Sequence, residues 1–305
     1  ICGDLTQAEA REWLVTNGLG GYASGTVAGL LTRRYHGLLV AALKPPVGRT
    51  LLVAKLDETA EYGGRTVELF TNRWHGGSVT PHGYRQIERF RLEGTTPTWT
   101  YALADVLLEK RVWMEPGANT TYVRYELTRG SGPVALTIKA LANYRDYHGS
   151  TRGNGWQNRV ERVEHGLAVI AYEGAVPFYL LSDRGERGVA HDWHVGFDLA
   201  MERARGLDDR EDHLQIGTIR AVVEEGTPLT IVLSTDPTAS RDGAQALERR
   251  RRHERALVTA FTKARPTLAK QAPPWVGQAL LAADQFIVDR PSPEDPGGRS
   301  VIAGY

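Results

Sequence analysis

Hydrophobic and polar residues alternate along short stretches of the first 235 residues, and glycines and prolines separate these stretches. The alternation is clearest in residues 122–128 and 134–140, where Val, Tyr, Leu or Ile occupies every second position. A period of two with one polar face is typical of antiparallel strands. Because Gly130-Ser131-Gly132-Pro133 between them favours a turn, the pattern predicts that the two stretches form a β-hairpin.

Similar runs rich in Val, Leu, Thr and Tyr recur at short intervals. They lie at residues 38–42, 50–56, 66–71, 85–92, 106–114, 167–172, 178–182, 218–223 and 229–234. About a dozen strands of this length form a large sandwich. We therefore predict a mainly β fold, a large antiparallel β-sandwich over residues 1–238.

The pattern changes after Asp236-Pro237, where the turn residues stop. Ala, Leu, Arg and Glu dominate residues 243–264, which predicts a helix. A second helix is predicted from Pro273 to Pro291, with one apolar stripe made of Val276, Leu280, Ala283 and Ile287. Residues 239–291 are thus expected to form a helical linker, followed by a polar connection rich in proline and glycine at 292–299.

Composition narrows the class of protein. With 41% hydrophobic and 24% charged residues, the 305-residue chain has the composition of an ordinary globular protein. The 37 basic and 36 acidic residues nearly cancel, so neither nucleic acid nor an anionic membrane is an expected partner. The single cysteine, Cys2, excludes an internal disulfide and any zinc site with several cysteines. We expect a cytoplasmic protein with no membrane segment, metal or cofactor.

A glycine-rich segment, NGLGGYASGT at residues 17–26, has the spacing of part of a phosphate-binding loop. Thr26 stands where such a loop carries its lysine, and Ala23 stands where a dinucleotide fingerprint needs its third glycine. Tight turns are therefore the favoured explanation. A further possibility is that the glycines let the backbone and Tyr22 approach a neutral ligand or a facing domain.

Two cations, an aromatic ring and an imidazole follow in Arg33-Arg34-Tyr35-His36. Guanidinium and imidazole groups donate hydrogen bonds to sugar hydroxyls, and a tyrosine ring offers a stacking face. The alternative is a set of ion pairs at the start of a strand. Side-chain chemistry alone favours the second explanation.

Six carboxylates lie within residues 193–217, with three arginines between them. Paired carboxylates catalyse glycoside hydrolysis, but interleaved arginines favour a salt-bridged loop. Asp212 and His213 are too few ligands for a metal site. The run ERRRRHER at residues 248–255 is interpreted as a solvated or interdomain helix, because helical geometry spreads the arginines around the axis. Residues 144–156 combine aromatic, polar and glycine residues, which suits a lid or simply a mobile loop.

Three segments together resemble the N-terminal domain of bacterial and archaeal type glycogen debranching enzymes. The first and most specific segment runs from Glu12-Trp13-Leu14 through NGLGGYASGT to RRYHGLL at residues 33–39. The other two are the block at 193–212 and the pair ADQFIV, residues 283–288, with RSVIAGY, residues 299–305. This resemblance implies a β-supersandwich of the kind that precedes (α/α)6 barrels, with residues 292–305 as the connection and truncated start of that barrel.

The resemblance also implies a function for the complete enzyme, which is hydrolysis of α-1,6-glucosidic branch points, sometimes alongside transfer of short α-1,4 chains. The catalytic carboxylates would lie in the barrel, so this chain alone is expected to be inactive. The expected partners are α-glucans (glycogen, limit dextrin, maltooligosaccharides) and the C-terminal catalytic domain of the same polypeptide. The alternative is a purely structural domain that packs against the barrel and contacts no sugar.

Glucan is neutral and rich in hydroxyl groups, so its binding residues should be aromatic rings with hydrogen-bonding neighbours. Chemistry and resemblance together give a first group of candidates for substrate binding: Asn17, Tyr22, Arg34, Tyr35 and His36. A second group comes from the carboxylate-rich block: Trp193, Asp208, Glu211 and Asp212. No catalytic residue is expected in the chain.

Overall fold

The structure is a computed structural model that describes residues 2–153, 156 and 158–305. Strands make up 50% of this structure and helices 17%. The first strands are β1 (Glu12–Thr16), β2 (Tyr22–Thr26), β3 (Gly37–Lys44), β4 (Val47–Tyr62), β5 (Arg65–Glu68), β6 (Thr71–Arg73), β7 (Val79–His82), β8 (Ile87–Glu93), β9 (Thr96–Leu103) and β10 (Val106–Met114). They are followed by β11 (Thr120–Arg129), β12 (Val134–Asp146), β13 (Arg159–Val163), β14 (Gly166–Ile170), β15 (Phe178–Ser182), β16 (Glu186–Asp198), β17 (Arg210–Val223), β18 (Leu229–Ser234), β19 (Ile287–Asp289) and β20 (Arg299–Val301).

In the part of the chain that the structure describes, two antiparallel sheets of eight strands each form the sandwich. The first has the order β1-β2-β3-β4-β12-β17-β16, with β5 also paired to β4. The second has the order β13-β14-β15-β18-β11-β10-β9-β8. The inward side chains of both sheets form one large hydrophobic core, which includes Leu39, Leu136 and Ile231. This arrangement confirms the predicted mainly β sandwich.

The predicted hairpin of residues 122–128 and 134–140 is wrong, although both strands exist. β11 pairs with β10 and β18 in the second sheet, whereas β12 pairs with β4 and β17 in the first. The alternating residues of both strands, such as Val123 and Ile138, are buried in the same core. The Gly130–Pro133 connection therefore crosses from one sheet to the other. Alternation identifies a strand with one buried face, but it does not specify which strand lies beside it.

The block at residues 193–217 is salt-bridged, as expected, but it is not a loop. It spans the end of β16, a short helix α2 (Ala200–Ala204) and the first half of β17. β16 lies at an open edge of the first sheet, and most of its residues before Gly196 are exposed or half-buried. Charged residues are common on edge strands, so its sequence lacks the hydrophobic alternation on which the other predictions rest.

Besides α2, the helices are α1 (Leu5–Glu9), α3 (Gly243–Ala264), α4 (Pro266–Gln271) and α5 (Trp275–Asp284). Helix α3 has the predicted bounds, because Asp242 caps its first turn by accepting a hydrogen bond from the Gln245 amide at 2.9 Å. The predicted end of the second helix is wrong. Helix α5 ends at Asp284, and the β-branched pair Ile287-Val288 forms β19, which pairs with β20.

The four consecutive arginines of α3 point in different directions, which agrees with the interpretation of a helix rather than an RNA site. Arg250 is buried; it donates to the Thr16 carbonyl at 3.0 Å and contacts Glu254 at 3.1 Å. Arg249 pairs with Glu115 at 2.7 Å. These contacts attach the helix to the sandwich.

Candidate functional site

Residues 17–21 of the glycine-rich segment form a turn between β1 and β2, and Asn17 holds this turn together. Its side-chain oxygen accepts hydrogen bonds from the Leu19 and Gly21 amides at 2.9 and 3.0 Å. Its side-chain nitrogen donates to the Ala118 carbonyl and to Asn119 Oδ1, both at 3.0 Å. Asn17 is 2% exposed, and these four bonds use its full hydrogen-bonding capacity. The Asn17 side chain therefore has no free group for a ligand.

The glycines serve the same turn. Gly18 and Gly20 adopt φ angles of +77° and +92°, which favour glycine. A Cβ atom on Gly20 would lie 2.5 Å from the Pro46 carbonyl oxygen, so the two segments approach each other closely. These contacts support the interpretation of a tight turn over a phosphate-binding loop.

An open cleft of about 600 Å³ lies beside β1 and β2, and none of the residues 17–21 line it. We use "the cleft" for the space lined by Glu12, Trp13, Leu14, Ser24, Arg33, Tyr35, His36, Tyr147, His148, Arg205, Phe286, Gly304 and Tyr305. These residues come from β1 and β2, from the connection between β2 and β3, from the 147–153 loop that follows β12, from the end of α2, and from the last twenty residues of the chain. Of the nine predicted site residues, Tyr35 and His36 line the cleft directly.

The aromatic side of the cleft consists of three rings in contact. Tyr35 lies edge-on to Tyr147 with ring centroids 5.7 Å apart, and the Tyr147 and His148 rings are 3.9 Å apart. The Tyr35 hydroxyl is 3.1 Å from His148 Nδ1. Each ring is therefore fixed by its neighbours, which gives a preformed surface of rings with polar edges.

Glu12 contributes a carboxylate to the lining of the cleft. Glu12 Oε1 lies 2.5 Å from Arg33 Nε and 3.4 Å from His36 Nε2. His36 Nδ1 accepts a hydrogen bond from the Thr32 amide at 3.2 Å, which leaves the ring proton on Nε2, facing Glu12. The hydrogen bond from His36, together with Arg33 and against the effect of burial, lowers the pKa of Glu12 to about 2. Glu12 is thus ionised, and its second oxygen can accept a hydrogen bond from a ligand.

Arg34 and Tyr22 do not line the cleft, but they form hydrogen bonds with residues that do. The Arg34 guanidinium donates to the His148 carbonyl at 2.7 Å and to the Asp208 carbonyl at 3.2 Å, and lies 3.4 Å from Glu202 Oε2. Tyr22 is fully buried and donates to the Tyr35 carbonyl at 2.9 Å. Burial raises the pKa of Tyr22 well above its ordinary value. Both residues position Tyr35 and the 147–153 loop.

The buried carboxylates Glu211 and Asp212 hold the same loop. Glu211 forms a two-pronged pair with Arg145, with Oε2 at 2.9 Å from a terminal guanidinium nitrogen. Burial raises the pKa of Glu211, and Arg145 opposes that effect. Asp212 accepts hydrogen bonds from the Gly153 and Gly196 amides, both at 2.7 Å. These carboxylates face protein groups rather than the cleft.

Trp193 and Asp208 lie beyond the loop and do not line the cleft. The Trp193 ring is 5.9 Å from the Trp156 ring, and it packs against the core. Asp208 is exposed and pairs with Arg152 at 2.5 Å. Partial burial raises the pKa of Asp208, but the hydrogen bonds from Arg152 and from the Arg210 amide outweigh it and lower the pKa overall. The segment 144–156, considered as a lid, includes Asn154 and Gly155, which lie outside the described residues.

Sequence reasoning missed several residues of the cleft. The sequence places four of them in the segments that carry the family resemblance without marking them as binding residues: Glu12, Arg205, Phe286 and Tyr305. The sequence contains one signal for Glu12. A strand that begins at Glu12, directly before the buried Trp13, places the Glu12 carboxylate at the end of the sheet. Tyr305 lies in a segment that carries the family resemblance, but its contact with the cleft depends on the path of the whole chain.

Other openings are less suited to a sugar. A gap of about 50 Å³ between the sheets holds no more than a few water molecules. A cleft of about 620 Å³ between β13 and β16 carries charged groups such as Arg162 and Glu186, and no aromatic ring among the described residues that line it. Over the described part of the chain, no group of three or more His, Cys, Asp or Glu residues could hold a metal ion. Within those same residues, no helix combines the length and the hydropathy of a membrane span.

The family described as "Glycogen debranching enzyme N terminal" matches residues 11–230. No curated protein sequence matches the chain significantly. The solved structures that the chain matches include a bacterial glucoamylase complexed with acarbose, at 11% identity and a TM-score of 0.45, where the match covers 92% of this chain and 41% of that one. A putative kojibiose phosphorylase from the human microbiome matches at 7% identity and a TM-score of 0.32, covering 92% of this chain and 32% of that one.

A polysaccharide lyase matches at 12% identity and a TM-score of 0.29, covering 66% of this chain and 28% of the other. The chain thus spans less than half the length of each of these three proteins. The family match, in contrast, covers most of the sandwich and includes β1, β2 and the Arg33–His36 cluster that borders the cleft. The chain belongs to the glycogen debranching enzyme N-terminal family.

Proposed function

We propose that the cleft binds a chain of α-glucan, such as glycogen, limit dextrin or a maltooligosaccharide. The observation that carries this proposal is the combination of a preformed aromatic surface, Tyr35 with Tyr147 and His148, and the ionised Glu12 in one open cleft. Sugar rings stack on aromatic faces, and a carboxylate accepts hydrogen bonds from hydroxyls. The near-neutral charge of the chain agrees with a neutral ligand.

The candidate residues take different roles in this proposal. Tyr35 would contact sugar, together with Glu12, Tyr147 and His148. The His36 side chain is 2% exposed, and both of its ring nitrogens face protein groups, so it would hold Glu12 in position. Tyr22 would position Tyr35, and Arg34 would position His148, through hydrogen bonds to their carbonyl groups. Each of the remaining candidates would hold the turn or the loop that frames the cleft: Asn17, Trp193, Asp208, Glu211 and Asp212.

Through this binding, the domain would assist hydrolysis of α-1,6-glucosidic branch points by a catalytic domain of the same polypeptide, in the cytoplasm. Glycoside hydrolysis needs a general acid and a second carboxylate. Among the described residues that line the cleft, Glu12 is the one carboxylate, and a pKa of about 2 leaves it without a proton to donate at neutral pH. We therefore propose that this chain is inactive alone.

We also propose the domain organisation. Residues 1–238 would be the glucan-binding sandwich, 239–291 the linker, and 292–305 the connection into the catalytic (α/α)6 barrel. Large apolar side chains are exposed in the last part of the chain, including Leu268 at 56%, Trp275 at 66% and Val301 at 75%. Exposed apolar groups of this size favour contact with another domain. This feature also supports the second candidate function, a structural domain that packs against the barrel without contacting sugar.

The two candidates are separated by titrating the 305-residue chain and two variants with maltooligosaccharides. Tyr35→Ala and Glu12→Gln should each weaken binding about tenfold, which corresponds to ~1.4 kcal/mol. Tyr172→Ala is the matched control, because Tyr172 is 58% exposed and does not line the cleft. Equal affinities for all four proteins would place the sugar elsewhere, provided that their unfolding midpoints agree.

A further inference from the structure

Arg49, on β4, is a buried cation held by two tyrosines. Its guanidinium carbon lies 5.2 Å from the Tyr147 ring centroid and 4.8 Å from the Tyr305 ring centroid. One terminal nitrogen donates to the Gly304 carbonyl at 3.0 Å. Arg49 is 8% exposed, and it forms no ion pair with any of the described residues. A buried arginine usually pairs with a carboxylate, and here two tyrosine rings and one carbonyl take the place of that partner.

The two tyrosines belong to different parts of the cleft. Tyr147 starts the 147–153 loop, and its amide donates to the Arg49 carbonyl at 3.1 Å. Tyr305 belongs to the C-terminal segment, and its hydroxyl donates to the Gln285 carbonyl at 2.8 Å. Arg49 therefore contacts both parts through its side chain, and the loop also through its backbone.

The C-terminal segment has other contacts besides Arg49, including the Phe286 ring, whose centroid lies 6.0 Å from that of Tyr305. The Ile302 amide donates to the Phe286 carbonyl at 3.0 Å, and the Tyr305 ring lies 5.1 Å from the Tyr22 ring. Without the guanidinium, Gly304 loses its hydrogen bond and both Tyr147 and Tyr305 lose a packed cationic face. The loss would act on both segments at once, although they are far apart in the sequence.

We infer that Arg49 is a positioning residue that couples the 147–153 loop to docking of the 302–305 segment on the sandwich. A ligand that contacts both Tyr147 and Tyr305 binds fully only when both segments are in place. Binding and docking must then strengthen each other by the same factor. This consequence for the ligand rests on the proposed glucan binding, whereas the coupling through Arg49 does not.

Amide hydrogen exchange of the 305-residue chain tests the coupling first without sugar. Arg49→Ala should accelerate exchange of the Tyr147 and Ile302 amides together, each by about tenfold. Arg65→Ala, on the neighbouring β5 with an exposed side chain, is the matched control and should change neither. If Arg49→Ala fails to fold, Tyr305→Ala replaces it and should accelerate exchange at Tyr147. Acceleration of only one amide, or of neither, overturns the coupling.

A second measurement adds saturating maltooligosaccharide. In the unmodified chain, exchange at both amides should slow, and in Arg49→Ala the Tyr147 amide should slow while Ile302 remains fast. If sugar changes neither amide in the unmodified chain, the proposed glucan binding fails, while the result without sugar still decides the role of Arg49. Equal protection of Ile302 in both proteins would contradict the coupling of ligand to docking.

Discussion

Replacing Glu211 by Gln tests whether the buried carboxylates of the 193–217 block serve the structure or the sugar. Glu211 is 1% exposed and accepts two hydrogen bonds from Arg145, which is itself 8% exposed. Removing one partner of a buried ion pair costs about 3–5 kcal/mol, because the other charge stays buried without compensation. The amide keeps one acceptor, and Arg145 also donates to the Arg34 carbonyl at 2.7 Å. We therefore expect a loss of about 3 kcal/mol.

Urea unfolding followed by tryptophan fluorescence measures this loss. With a slope on the order of 3 kcal/mol per molar urea, the midpoint should fall by about 1 M. Glu164→Gln is the matched control, since its side chain is 88% exposed, and its midpoint should hardly change. The double replacement of Arg145 and Glu211 by leucine should cost less than Glu211→Gln alone, because no charge is left unpaired. A midpoint unchanged by Glu211→Gln, combined with weaker sugar binding, would refute this reasoning.

Three further predictions concern acid stability and the first turn. The folded pKa of Glu12, about 2 against an ordinary 4.5, means that its stabilising effect is present above pH 4.5 and lost as pH falls towards 2. This pKa shift corresponds to a nominal stabilisation of ~3.4 kcal/mol, which solvent screening reduces to about 1 kcal/mol because the side chain is 39% exposed. In urea unfolding, Glu12→Gln should lose this stabilisation at pH 6 but not at pH 2. Burial lowers the pKa of His213 well below 6.5, so the unfolded chain binds more protons than the folded chain in weak acid. The free energy of unfolding should therefore decrease below about pH 6.5 by up to ~1.4 kcal/mol per pH unit. His213→Asn should remove this slope between pH 6.5 and 5. Gly20→Ala should lower the thermal midpoint more than Gly18→Ala, because both have positive φ but only the Gly20 Cβ would overlap Pro46; equal shifts would contradict the close approach.

Local patterns were sufficient to predict elements whose burial follows a clear hydrophobic signal. Strand β18, in which all six residues are buried, and helix α3 have the bounds that the apolar run and the change in composition indicated. Periodicity failed where burial does not follow it, as in the exposed edge strand β16. It also could not decide the partner of β11, because a strand that faces β12 across the core has the same alternation as one that lies beside it.

The site was predicted in part for the same physical reason. Tyr35 and His36 lie in a motif whose chemistry suggested a sugar, and they do line the cleft. Asn17 and Asp212 carry equally suitable groups, but both side chains already accept hydrogen bonds from backbone amides inside the protein. Residue type shows what a side chain can bind, whereas the fold decides whether that side chain is free to bind it. The contribution of Tyr305 required the complete path of the chain.

Calorimetric titration of the 305-residue chain with maltooligosaccharides and with branched limit dextrin tests the central claim most directly. The proposal that the cleft binds α-glucan predicts saturable heat at millimolar sugar, and that heat should decrease in Tyr35→Ala. The absence of heat at millimolar concentrations of either glucan would contradict the proposal. It would instead favour a domain that packs against its catalytic partner without contacting sugar.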